Sequence, residues 1–181
     1  ASASHRNDEP GRLAVFPGMA TGPVTVASQV LRTPGGGTDF DRFGEPVVGV
    51  GDVNGDGFDD VVVGAGGLNA NRGGAWLYLG SRAGLVTPPA MEWRGTMANE
   101  YVGLAAGGGG DIDGDGFDDF IIVSAGTGSA RVYFGAPTGV RAASVALTTT
   151  AGALALSARN AAIIGDVNGD GFDDVVVACD S

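Results

Sequence analysis

Gly51-Asp52-Val53-Asn54-Gly55-Asp56-Gly57-Phe58-Asp59-Asp60 runs directly into Val61-Val62-Val63. The pattern returns as Asp111-Ile112-Asp113-Gly114-Asp115-Gly116-Phe117-Asp118-Asp119 before Phe120-Ile121-Ile122-Val123. It returns again, identical to the first copy, as Gly165 to Asp174 before Val175-Val176-Val177. From Asp52 to Asp111 to Asp166 the copies begin 59 and 55 residues apart. Self-similarity at so long a period means that one supersecondary unit is repeated along the chain.

Each copy alternates oxygen-bearing residues with small or apolar ones. Asp52, Asn54, Asp56 and Asp60 sit at positions 1, 3, 5 and 9, and Phe58 offers its carbonyl at position 7. The corresponding sets are Asp111, Asp113, Asp115, Phe117 and Asp119, then Asp166, Asn168, Asp170, Phe172 and Asp174. An all-oxygen donor set on a flexible loop selects a hard cation, and so many protein ligands suit Ca²⁺ better than Mg²⁺. Three Ca²⁺ ions per chain are expected. Asp59, Asp118 and Asp173 lie between positions 7 and 9 and read as supporting or turn residues. An EF-hand opens in the same way but closes with Glu at position 12 between helices. Here position 12 is Val63, Ile122 or Val177, inside a β-branched run, so an EF-hand is excluded.

The rest of the chain is a series of short strand candidates separated by glycine turns, with no sustained helical periodicity. Strand signals lie at Arg12–Phe16, Val24–Leu31, Pro46–Val50, Ala75–Leu79, Ala90–Arg94, Val102–Ala106, Ala130–Phe134, Ser144–Thr149 and Ala161–Ile164, besides the three runs after the loops. A turn with glycines four apart recurs at Gly18/Gly22, Gly80/Gly84 and Gly135/Gly139. One unit is four strands, A and B around the acidic loop and C and D around the Gly-x-x-x-Gly turn. Four antiparallel strands at this period make a β-propeller blade. The expected layout is a tail (1–11), then a propeller segment (12–181). That segment holds a C–D half blade (12–33), two blades (43–96 and 101–150) and an A–B half blade (160–178). Three blades' worth cannot close a ring, so a second chain is expected to complete a six-bladed propeller as a homodimer. A fragment of a longer chain is the alternative.

These residues resemble the calcium-binding FG-GAP repeats of the integrin α-subunit β-propeller and the similar repeats of bacterial secreted proteins. The acidic loop carries the resemblance in all three copies. Phe43-Gly44 matches the Phe-Gly of the family's name, whereas the second unit has Tyr101-Val102-Gly103 there. The resemblance implies metal binding in each loop and a secreted or cell-surface location. Integrin-type ligand recognition rests on residues outside these motifs and does not carry over.

Composition narrows the function. The formal charge is −11, but 13 of the 21 acidic residues lie in the three loops, and three divalent ions would bring it to −5. That local acidity argues against nucleic-acid binding. No apolar run reaches membrane-spanning length. The tail lacks an apolar signal core, which fits a mature N-terminus or an arbitrary boundary. His5 is the single histidine and Cys179 the single cysteine, which makes a zinc site, an internal disulfide or a Ser-His-Asp enzyme a poor fit. Trp76 and Trp93 are expected to pack between blades, and Cys179 to sit semi-buried. Asp39, Arg42, Asn69, Arg72, Asn99 and Tyr101 lie on loops opposite the acidic turns, where a recognition surface or plain solvated loops are the two readings. The function expected is a non-catalytic, calcium-stabilised module that self-associates and binds a protein or glycan. A lectin or a propeller enzyme with an unidentified active site is the alternative.

Overall fold

A computed structural model describes residues 11–148 and 160–178, apart from residues 21, 24 and 38. The chain is all-β and its sheets are antiparallel. First come β1 (Arg12–Val15) and β4 (Gln29–Arg32), paired with Arg12 opposite Arg32 and Val15 opposite Gln29. A small ribbon of β2 (Gly18–Met19) and β3 (Gly22–Pro23) sits in their connection. Next is a four-stranded sheet of β5 (Val47–Gly51), β6 (Asp60–Gly64), β7 (Gly74–Tyr78) and β8 (Met91–Arg94), in that spatial order. A second such sheet follows, made of β9 (Val102–Gly110), β10 (Asp119–Ser124), β11 (Ser129–Ala136) and β12 (Gly139–Leu147). The last pair is β13 (Asn160–Ile163) with β14 (Val175–Ala178). These up-and-down four-stranded sheets have the form of propeller blades.

The β-branched runs explain how the sheets stack. Successive side chains on a strand point to opposite faces. On β6, Val62 enters a core with Val50, Leu77, Val102, Phe120 and Ile122, between the two four-stranded sheets. Its neighbour Val63 enters a core with Leu31, Phe43 and Trp76, against the first hairpin. On β10, Ile121 and Val123 turn the other way and meet Ala161, Ile163, Val175 and Val177 of the last hairpin. A strand buried on both faces reads as a continuous apolar run, and each such side chain contributes about 1.5–3 kcal/mol by leaving water. The run Gly107–Gly110 in β9 lets these layers approach. A Cβ at Gly107 would lie 2.5 Å from the Ala161 carbonyl oxygen, and one at Gly108 would lie 2.6 Å from Val50.

Both tryptophans pack between sheets. Trp76 meets Phe43 edge-on at 5.6 Å, and Trp93 meets Tyr133 at 4.9 Å and Phe120 at 5.7 Å. Two expectations shift. The strand read over Val24–Leu31 begins only at Gln29, because the Ser28 amide and hydroxyl both fold back onto the Val15 carbonyl. The turn expected at Gly135/Gly139 is mostly ladder, leaving Pro137-Thr138 as a two-residue turn. The matching stretch of the first blade stays irregular up to Met91, where Pro88 and Pro89 offer no amide to a ladder. Cys179, His5 and the stretch 149–159 lie outside the described residues.

Candidate metal centre

Each acidic loop joins strands A and B of its unit, and glycine permits its tight path. Gly55 and Gly57, Gly114 and Gly116, and Gly169 and Gly171 all take positive φ, between +73° and +92°. That path aims backbone amides at the first carboxylate. Asp52 accepts hydrogen bonds from the amides of Asp56 (3.0 Å) and Gly57 (2.7 Å). Asp111 accepts from Gly114, Asp115 and Gly116, and Asp166 from Gly169, Asp170 and Gly171, at 2.7–3.1 Å. The Gly171 amide is the chief cause holding the Asp166 carboxyl below its ordinary range. At position 5, Asp56, Asp115 and Asp170 each accept the amide of the phenylalanine two residues on.

Position 9 is anchored beneath the loop. Asp60 is fully buried and accepts the amides of Val53 (3.1 Å) and Gly80 (2.7 Å). Asp119 repeats this with Ile112 and Gly135, both at 2.9 Å. Burial pushes both carboxyls up to about 6; the two amide bonds offset it, and the neighbouring carboxylates add to it. Each oxygen keeps a second lone pair for another partner.

Position 3 differs between loops. Asn54 and Asn168 donate their side-chain amides to Asp56 and Asp170, both at 3.0 Å. The second loop carries Asp113 instead, and Arg141 of β12 bridges Asp113 and Asp115. Oxygens of Asp111, Asp113 and Asp115 all lie within 4.8 Å of one another. Ca²⁺–oxygen distances of about 2.3–2.6 Å place opposite ligands roughly 5 Å apart, so this cluster has the dimensions of a calcium shell. The donor set and its spread fit the ion.

Sequence reasoning missed three partners. Asp118 and Asp173 do more than turn the chain: Asp118 accepts the Asp52 amide at 2.8 Å, and Asp173 accepts the Asp111 amide at 3.0 Å. The second and third loops are thereby each latched to the one before. Arg141 was also missed, since its distance in sequence from Asp113 gives no local signal. On the opposite face, Asn71 donates to Asn99 at 3.1 Å and ties the two loops there together. Arg42, Asn69, Asn99 and Tyr101 among the recognition candidates take left-handed backbone, a conformation that costs energy in any residue but glycine.

An FG-GAP repeat model matches residues 46–78, and an FG-GAP-like repeat model matches residues 111–177. The chain is 33% identical to integrin alpha-5 of Xenopus laevis over 104 residues, covering 55% of this chain and 10% of that protein. It is 33% identical to human integrin alpha-8 over 122 residues, covering 63% and 12%. With integrin alpha-PS3 of Drosophila melanogaster the identity is 35% over 125 residues, covering 66% and 10%. The chain spans about a tenth of the length of these curated relatives. Among the described residues no helix is long and apolar enough to cross a membrane. The latched acidic loops, the blade-like sheets and these matches agree: the chain is built of integrin-like FG-GAP repeats.

Proposed function

We propose that this chain is a calcium-stabilised, non-catalytic interaction module that works outside the cell or at its surface. One Ca²⁺ would sit in each acidic loop. The observation that carries this is the peptide cage around Asp52, Asp111 and Asp166. It recurs in every loop, and in the second loop the carboxylate oxygens of positions 1, 3 and 5 all lie within 4.8 Å of one another. The side chains of positions 1, 3, 5 and 9 would hold the ion with the Phe58, Phe117 and Phe172 carbonyls. The ion supplies positive charge that lets these carboxylates share one small volume. Its role is structural, fixing the A–B turn of each blade.

The likeness to integrin α chains supports an interaction role; their partners are not transferred. For a small ligand, a cleft of about 350 Å³ between the two blades offers Trp93 and Tyr133 with Glu100 and Arg131, a lining on which a sugar could stack. A glycan array tests that second reading, and a blank array removes it.

Thermal unfolding with excess calcium and with excess chelator tests the main reading. Three sites held at about a hundredfold over their dissociation constants raise the melting temperature by on the order of 20 °C. A melting curve that chelator leaves unchanged overturns it.

A further inference from the structure

The rim of the core between the two four-stranded sheets opens into the cleft of about 350 Å³, and both sheets build its walls. Alternate residues of a strand share a face, so Arg131 and Tyr133 of β11 line it together, opposite Trp93 of β8. Trp93 and Tyr133 meet edge to face at 4.9 Å. Val102 and Ile122 add apolar surface, and Glu100 enters from the loop before β9.

The charged groups of this cleft are of two kinds. Arg94 is fully engaged: it pairs with Glu92 at 3.2 Å, donates to the Pro34 carbonyl at 3.1 Å and lies 4.8 Å from the centre of the Trp76 ring. Arg131 is not. Its Nε donates to the Ser144 hydroxyl at 3.0 Å and its Nη2 to the Ser144 carbonyl at 3.4 Å, and both acceptors are neutral. Among the described residues Arg131 forms no ion pair and its Nη1 has no partner. Glu100 is held in the same half-used way. One of its oxygens accepts the amides of Thr96 at 2.7 Å and Met97 at 3.0 Å, and the other accepts nothing among the described residues. The Trp93 indole N–H and the Tyr133 hydroxyl also lack a hydrogen-bond partner among the described residues, although both rings are half-buried. Burial pushes the Tyr133 hydroxyl up, with the Arg131 charge partly offsetting it, so it stays protonated and able to donate.

An aromatic wall, three free donors and one free carboxylate oxygen are the elements of a site for a ring that is apolar on its face and polar at its edge. Arg131 and Glu100 also fix the charge of that ring. A carboxylate at the Arg131 end gains a charge-assisted hydrogen bond, whereas an ammonium there meets a cation with no counter-charge. Glu100 only accepts, so the other end of the ring must offer donors such as hydroxyls. Because each group is already tied to the protein, little ordering is left for the ligand to bring about.

We propose that this cleft binds a sugar acid. The sugar ring stacks on Trp93, its carboxylate meets Nη1 of Arg131, and its hydroxyls meet Glu100 and Tyr133. The proposal rests on the second reading above, that the cleft takes a sugar, and adds which sugar and what selects it. A uronic acid and its parent hexose differ only in a carboxylate against a hydroxymethyl group, so the pair isolates the Arg131 contact.

The test uses the 181-residue chain in calcium. The probes are the methyl glycosides of glucuronic, galacturonic and mannuronic acid, each beside its neutral hexose. Binding is read by saturation-transfer NMR and by the fluorescence of Trp93, the other tryptophan, Trp76, being 0% exposed. At least one acid is expected to bind on the order of tenfold tighter than its own hexose, the worth of one charged hydrogen bond. Arg131→Gln, at an exposed position, is expected to bring acid and hexose to equal affinity with the melting temperature unchanged, and Arg131→Lys to keep part of the preference. Equal binding of acids and hexoses to the wild type overturns the selection by Arg131 and leaves the sugar reading standing. No binding of any probe overturns both. A preference for the acid that survives Arg131→Gln puts the carboxylate elsewhere, as on a bound calcium ion, and overturns the site.

Discussion

The first and second acidic loops build the same cage from different charges. The first offers the carboxylates of Asp52, Asp56 and Asp60, with the neutral Asn54 bridging to Asp56. The second offers Asp111, Asp113, Asp115 and Asp119, and Arg141 reaches over from β12 to bridge Asp113 and Asp115. Counting the guanidinium, the carboxylates at positions 1, 3, 5 and 9 give both loops the same formal charge, −3. Arg141 also lies over the Phe134 ring, 5.5 Å from its centre. Val86 takes its place in the first blade, counting from Gly84 and Gly139, and has no charge to offer. What the two loops share is the pattern of peptide donors and the net charge. The group at position 3 is free to change as long as something nearby relieves the repulsion.

The shared part is expected to give the largest effect. Asp60→Ala leaves the amides of Val53 and Gly80 without their acceptor, and Asp119→Ala does the same to Ile112 and Gly135. An orphaned buried donor costs about 1–3 kcal/mol, so each variant, with two of them, should lose about 2–6 kcal/mol of unfolding free energy. Chemical denaturation in chelator measures this. Equal losses sharpen the comparison; a loop that tolerates the change while the other does not breaks it.

The path of the acidic loop was legible because the loop is local: its internal hydrogen bonds span two to seven residues. The strand order was legible for a similar reason, since up-and-down pairing keeps sequence neighbours adjacent. Contacts between units were not. Asp118 reaches Asp52 across 66 residues, and Arg141 reaches Asp113 across 28, and nothing near either residue announces the partner. The left-handed backbone at Arg42 and Tyr101 was also invisible, because neither residue type favours it. The late start of β4 shows a local competitor, Ser28, overriding an apolar pattern that reads well as strand.

A titration gives the next effect in size. Asp60 is pushed from 3.8 to about 6, chiefly by burial, and Asp119 likewise. Without calcium the folded chain therefore holds these protons more tightly than the unfolded chain. That contribution is full below pH 3.8 and is lost as the pH rises through about 6. Comparing wild type with Asp60→Asn isolates one of the two groups. In chelator, the stability advantage of wild type over the variant should shrink from pH 4 to pH 7. In calcium the ion favours the charged carboxylate, so the advantage should grow over the same range. A trend of the same sign in both conditions shows that Asp60 does not serve the ion.

Position 3 itself should give the smallest effect and the one that separates the loops. Arg141→Gln leaves Asp113 and Asp115 facing each other without a cation, so the calcium-free chain should melt slightly lower, most visibly at low ionic strength. Asp113→Asn in the same chain restores the arrangement of the first loop and should recover most of the loss. The mirror change, Asn54→Asp, puts a fourth carboxylate among positions 1, 3, 5 and 9 of a loop that no arginine bridges among the described residues, and should destabilise the calcium-free chain as well. Site-resolved calcium titrations, followed through the amides of Gly57 and Gly116, then ask whether the guanidinium competes with the ion. Arg141→Gln should move the Gly116 midpoint to lower calcium and leave Gly57 where it was. A shift at both amides would mean that the arginine acts through the fold as a whole, and the two loops would then differ in sequence without differing in how they balance their charge.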